Sequence, residues 1–140
     1  LTVKTELDPG KKDGRNQMFQ ISVREHFDAA HYLKEYKGKC ENLHGHRFEV
    51  VAALEAPKLN PIGLAYDFAE LKAHLREILA RFDHVCLNDI APFTKSTPSS
   101  ENIAVAVYEE LKPRIPESAA RIAFIEVWES PTSCARLIPD

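Results

Sequence analysis

The chain has 140 residues, a formal net charge of −3 at pH 7, 44% hydrophobic residues and 28% charged residues. That length suits one domain able to bury a core without disulfides or metal, and the weak negative charge gives no field to draw nucleic acid or an anionic membrane. No apolar run reaches membrane-spanning length, and the 3 widely spaced cysteines (Cys40, Cys86, Cys134) argue against a disulfide framework and for a reducing, cytoplasmic setting.

Residues 1–16 combine charges, Gly and Pro with almost no large apolar residue and no signal-peptide core. They are expected to form a loose, flexible arm ahead of a domain over 17–140. From Met18 to Phe27 the chain alternates, with Phe19, Ile21, Val23 and Phe27 on one side and Gln20, Ser22, Arg24 and His26 on the other. This pattern predicts a half-buried strand. A polar, Lys-rich loop follows over 33–43. His44 to Leu54 reads as a second strand, with Phe48, Val50 and Ala52 on the histidine face.

Asp67 starts the clearest helix. Phe68, Leu71, Leu75, Ile78, Leu79 and Phe82 recur at helical spacing, Asp67 is a suitable N-cap and Glu70 stands at capping-box distance. The span 87–98 reads as irregular. Ser99 or Ser100 then caps a second helix with Ile103, Val107 and Leu111 on one stripe, ended by Pro113 and Pro116. Ala120–Trp128 and Cys134–Ile138 read as two last strands around a Ser130-Pro131-Thr132 turn. The order is ββααββ. Paired strands predict an α+β fold, an antiparallel sheet with both helices on one face.

The chemistry concentrates in Cys40-Glu-Asn-Leu-His44-Gly-His46 and in Phe27-Asp-Ala-Ala-His31. Side chains two apart on a strand share a face, so His44 and His46 can reach one ion, and an antiparallel neighbour can bring His31, which follows the first strand, to the same place. Gly45 would permit a close approach of backbone or ligand. Three imidazoles leave a tetrahedral Zn²⁺ one open position, as in a catalytic site; iron or nickel accept the same donors. Paired surface histidines are the competing reading of His44 and His46. Cys40 can be a fourth ligand, a buried thiol or a thiolate base favoured by nearby lysines. Asp83-His84, placed at the end of the first helix, offers either a histidine favoured by the helix dipole or a general acid/base held by a carboxylate. Glu126 and Trp128 share one strand face and Glu129 the other, with Val127. Either glutamate could accept paired hydrogen bonds from a ligand, and both are expected to be exposed. His74 reads as a surface residue.

With Asp67-Phe68-x-x-Leu71-Lys72, Phe82-Asp83-His84-x-x-Leu87-Asn88-Asp89, Pro98-Ser99-Ser100-Glu101-Asn102 and Val127-Trp128-Glu129-Ser130 added to these two segments, the chain resembles the 6-pyruvoyl-tetrahydropterin synthase family. The resemblance covers residues 17–138 and is closest to the bacterial 6-carboxy-tetrahydropterin synthase branch, because three residues separate Cys40 from His44. It implies a tunnelling fold (T-fold) in which three sheets close a barrel and two trimers stack into a homohexamer with active sites between subunits. It implies zinc on His31, His44 and His46, Cys40 as catalytic base, and Asp83 with His84 as an acid/base relay. Glu129 would anchor the pterin ring, with Ser99 and Ser100 contacting it. The activity implied is conversion of 7,8-dihydroneopterin triphosphate to 6-carboxy-5,6,7,8-tetrahydropterin, with release of acetaldehyde and triphosphate, in queuosine biosynthesis. A pyruvoyl product, an aldolase-like cleavage and a non-enzymatic zinc- or pterin-binding module are the alternatives. A further branch has glutamate in place of the cysteine, and Glu41 stands beside Cys40.

Overall fold

In a computed structural model, which describes residues 17–35, 37–38 and 41–140, four strands form one antiparallel sheet in the order β1-β2-β3-β4. The strands are β1 (Phe19–His31), β2 (His44–Ala56), β3 (Arg121–Ser130) and β4 (Ser133–Leu137), with helices α1 (Phe68–Ala80) and α2 (Ser100–Leu111) between β2 and β3. The sheet, its pairing and both helices are those expected from the alternating and helical periods. The arm expected at 1–16 lies outside the described residues.

Three strands run further than their patterns suggest, β2 to Ala56, β3 to Ser130 and β1 most of all. β1 continues to His31, so this histidine belongs to the strand instead of following it. The extension comes from pairing: Phe27 stands opposite Phe48, Ala29 opposite His46 and His31 opposite His44. Small residues, Ala29 and Ala30, carry weak strand preference on their own, and the β2 ladder supplies the missing reason.

One face of the sheet is apolar. Phe27, Phe48, Val50, Ala52, Leu54, Ile125 and Val127 meet Leu71, Leu75, Ile103, Val107 and Leu111 from the helices, all buried. α1 packs on β1, and α2 on β3 and β4. Each large side chain buried in this way contributes about 1.5–3 kcal/mol. The other face carries cross-strand ion pairs, Arg24 with Glu49 and Arg136 with Glu126 among them. β2 is central, and on that second face it shows Val51 and Ala53, also buried.

The caps follow the sequence with one difference. Asp67 accepts from Ala69 N–H at 2.8 Å, and Ser99 accepts from Asn102 N–H at 3.1 Å. Glu70 lies 3.7 Å from His74 Nε2, four residues along the helix, in place of the expected capping box. His74, expected at the surface, has a side chain only 25% exposed.

Candidate functional site

The apolar face of the sheet ends in histidine. His44, His46 and Phe48 alternate onto it from β2, and His31 reaches it from the end of β1. Ring centroids are 4.5 Å apart for His31–His44, 5.2 Å for His31–His46 and 4.6 Å for His44–His46. Phe48 is the floor, edge-on to His31 at 5.2 Å and to His46 at 5.5 Å. One ring nitrogen from each of the three can be chosen so that all lie within 4.8 Å of one another.

Hydrogen bonds decide which nitrogens are available. His31 Nδ1 lies 2.8 Å from Pro98 C=O, and His44 Nδ1 lies 2.6 Å from Asn42 C=O. A carbonyl only accepts, so each Nδ1 carries the hydrogen and each Nε2 keeps its lone pair. His31 is 1% exposed, and its Nε2 is buried without a partner. An unpaired buried acceptor is unfavourable unless something completes it. Burial, the largest cause, lowers the pKa of both His31 and His46, and neighbouring imidazoles add to this; the bond to Pro98 C=O opposes it at His31, and Glu129 opposes it at both. Neutral imidazoles with inward lone pairs are what a divalent metal requires, so these donors fit Zn²⁺.

Gly45 was expected to allow a close backbone approach. A Cβ there would sit 3.7 Å from Ala29 C=O, an ordinary contact, so no such approach depends on it. It lines an open cleft of about 480 Å³ with His46, Asp28, His84 and Cys86.

α1 stops at Ala80, so Asp83 and His84 lie beyond the helix rather than at its end. That removes the helical dipole as their setting. His84 has φ 58°, a left-handed conformation that few side chains adopt. This turn lets neighbours in sequence face each other, with Asp83 Oδ2 2.8 Å from His84 Nδ1. Asp28 holds the pair from β1: its N–H donates to Asp83 Oδ1 at 2.9 Å, and its C=O accepts from His84 N–H at 2.6 Å. Asp83 is held below its usual pKa by the Asp28 N–H, then by His84. The His84 side chain is 77% exposed and reaches outward. Asp28, Asp83 and His84 form a second cluster of metal-ligand spacing, yet Arg47 occupies Asp28 with two hydrogen bonds at 3.0 and 3.2 Å. With the acids engaged by His84 and Arg47, the arrangement suits proton transfer better than metal binding.

The two glutamates of β3 part company. Glu126, expected exposed, is buried and receives two hydrogen bonds from Arg136. At Glu129 the β3–β4 register slips, with Trp128 opposite Cys134 and Ser130 opposite Ser133. The extra residue is Glu129, and a bulge re-aims its side chain. It lines a cavity of about 280 Å³ with Ser99, Ser100, Glu101, Ser133 and Cys134. Ser100 Oγ is buried without a partner, whereas Ser99 Oγ serves as helix cap.

His31, His44, His46, Asp83, His84, Glu129, Ser99 and Ser100 therefore gather at one end of the sheet. Cys40 lies outside the described residues. Asn88 was missed as a site residue: its amide exchanges two hydrogen bonds, both 3.0 Å, with the backbone of Tyr32 next to His31. Its place between Leu87 and Asp89 in a motif was the only signal.

A family model described as 6-pyruvoyl tetrahydropterin synthase matches residues 20–139. A 6-carboxy-5,6,7,8-tetrahydropterin synthase of Synechocystis sp. is 35% identical over 115 residues, 79% of this chain and 85% of that protein. A protein of the same name from Haemophilus influenzae is 30% identical over 138 residues, covering 83% of this chain and 96% of that one. The structure of Caenorhabditis elegans 6-pyruvoyl tetrahydropterin synthase superposes with a TM-score of 0.78 at 26% identity, covering 90% of this chain and 99% of that one. With the family model matched over nearly the whole described domain and the T-fold shared, the chain belongs to the 6-pyruvoyl tetrahydropterin synthase family, whose members are pterin-processing lyases.

Proposed function

We propose that the chain converts 7,8-dihydroneopterin triphosphate to 6-carboxy-5,6,7,8-tetrahydropterin with zinc held by His31, His44 and His46, as a step toward queuosine. The observation that carries this reading is the convergence of three imidazoles around the buried, unpartnered Nε2 of His31. Relatives named 6-carboxy-5,6,7,8-tetrahydropterin synthase favour the carboxy product.

Zinc when bound would act as a Lewis acid toward the hydroxyls of the substrate side chain. Glu129, aimed by the bulge into the cavity it shares with Ser99 and Ser100, would accept hydrogen bonds from the amino and ring N–H groups of the pterin. Ser100, with an unused hydroxyl, is the better placed of the two serines for a ligand contact, because Ser99 already caps α2. His84 would carry a proton at its exposed Nε2, oriented by Asp83 at Nδ1. Cys40, four residues before His44 in the sequence, is assigned the opposing proton transfer at the substrate side chain as a thiolate. These proton transfers would accompany elimination of triphosphate and carbon–carbon cleavage that releases acetaldehyde, with one water consumed to supply the second oxygen of the carboxylate.

The active unit is proposed to be a homohexamer, a dimer of trimers, in the cytoplasm. Among the described residues the outer edges of β4 and of the first half of β1 have no strand partner, which supports closure of the sheet by further copies. No described helix is long and apolar enough to cross a membrane.

The test is to incubate zinc-loaded protein with dihydroneopterin triphosphate and identify the pterin by mass. The carboxy product is expected. Unchanged substrate would remove the lyase reading, and a pyruvoyl or hydroxymethyl pterin would move the chain to another branch.

A further inference from the structure

Two asparagines without a part in this chemistry clamp the backbone on either side of His31. Residues 83–88 run along the outer edge of β1 and satisfy its outward groups in turn. Asp83 and His84 use the N–H and C=O of Asp28, and Ala30 N–H donates to Val85 C=O at 3.0 Å. Past this point the chain coils into a 3-10 turn over Leu87–Asp89, and backbone partners for β1 run out. The Asn88 side chain takes over: its Oδ1 accepts from Tyr32 N–H and its Nδ2 donates to Tyr32 C=O, both at 3.0 Å. A carboxamide carries the donor and acceptor of a peptide group, so it extends the ladder one residue beyond His31. Asn88 is 9% exposed, so water is a poor substitute for these bonds.

Across the ring, Asn102 Nδ2 donates to Thr97 C=O at 2.7 Å, while its backbone N–H goes to Ser99 Oγ at 3.1 Å. Thr97 C=O also accepts from Ser99 N–H at 2.9 Å. This folds Thr97–Ser99 into a fixed turn whose middle carbonyl, Pro98 C=O, meets His31 Nδ1 at 2.8 Å.

We propose that Asn88 and Asn102 are positioning residues for the metal site, Asn88 fixing the backbone of His31 and Asn102 fixing the carbonyl that sets its ring orientation and tautomer. The proposal rests on the reading of His31, His44 and His46 as metal ligands. The terminal residue of a strand frays when it is held from one side only. His31 is the terminal residue of β1, and its Nε2 must meet two imidazoles of β2. Groups that orient a metal-bound histidine change affinity without touching the metal.

Asn88→Leu keeps the branched shape, with methyls in place of the oxygen and nitrogen, and removes both bonds to Tyr32; Asn102→Ala releases Thr97. Asn60→Ala is the control, because Asn60 Oδ1 accepts from Ile62 and Leu64 N–H at 3.1 and 2.9 Å in the loop beyond the far end of β2. Zinc affinity is measured by competition with a chromophoric chelator, and ligand geometry by the visible spectrum of the Co²⁺-loaded protein. Denaturation midpoints of the metal-free proteins are recorded alongside. Both site variants are expected to bind zinc about 10- to 100-fold more weakly and to alter the cobalt spectrum. Asn60→Ala is expected to keep both whatever stability it loses. Folded Asn88→Leu and Asn102→Ala with parental affinity and spectrum overturn the proposal, as does an equal loss in Asn60→Ala. Should Asn88→Leu fail to fold, Asn102→Ala decides the matter alone. A parent that binds no zinc removes the ligand assignment and this proposal together; zinc binding that is lost in His46→Ala but unchanged in the asparagine variants removes only the proposal.

Discussion

Two histidine clusters lie at the same corner of the sheet and are built in opposite ways. His31, His44 and His46 stand over an apolar floor, with backbone carbonyls on the Nδ1 atoms of His31 and His44. His84 stands in solvent with a carboxylate on its Nδ1. Burial lowers the pKa of His31, and a carbonyl on Nδ1 fixes the tautomer that leaves the Nε2 lone pair free. A carboxylate partner at the surface orients a ring that exchanges protons with what approaches it. On the proposed function the same side chain would serve metal binding in one cluster and proton transfer in the other, and partner and burial would make the difference.

The largest test of this contrast is to remove one ring at a time. His46→Ala is expected to lose the bound zinc, read by metal analysis after dialysis, while His84→Gln keeps it. Equal zinc in His46→Ala and the parent would refute the ligand set. Turnover separates the clusters next. His84→Gln is expected to lower kcat about 10²- to 10⁴-fold at unchanged zinc content, the usual contribution of a general acid or base. A kcat within a factor of a few of the parent would return His84 to a surface role.

The floor distinguishes the clusters by stability. Phe48 is fully buried and stacks on Phe27 at 5.0 Å. Phe48→Ala is expected to cost about 3–5 kcal/mol in chemical denaturation and to weaken zinc binding too. No residue under His84 should have such a double effect. Ser99→Ala removes the α2 cap and is expected to cost about 1 kcal/mol, whereas Ser100→Ala should leave stability nearly unchanged and raise KM.

The smallest effect lies at acid pH. The Asp83 carboxyl is held below its usual 3.8. Between the folded value and 3.8 the unfolded chain binds more protons, so the stabilisation is fully present above 3.8 and is lost as the pH falls through the folded value. As the pH falls below 3.8 the parent should therefore lose stability more steeply than Asp83→Asn, as read by denaturation midpoints. Parallel curves would mean that Asp83 is not held by Asp28 and His84.

Periodicity made most of the fold legible. Strand alternation and the 3.6-residue stripes of α1 and α2 are properties of neighbouring residues, and so are the Asp67 and Ser99 caps. The zinc-type donors were legible too, because His44 and His46 share a face by strand geometry alone. Other features depend on partners distant in sequence. β1 reaches His31 only because β2 lies beside it. Glu126 looks like a surface residue until Arg136 is brought across from β4.

What the sequence by itself determined is the set of elements, their order and the chemical types gathered in short motifs, since these rest on local spacing. Tertiary structure decided which of those groups are spent and which are free. Glu126 is used up in an ion pair while a bulge frees Glu129, and Pro98 C=O fixes the tautomer of His31 from 67 residues away. Backbone from β1 holds His84 in its left-handed turn, and Asn88 closes the ladder at the end of β1. The physical reason is common to all of these: hydrogen bonds and burial are set by contacts in space, and no period along the chain encodes them.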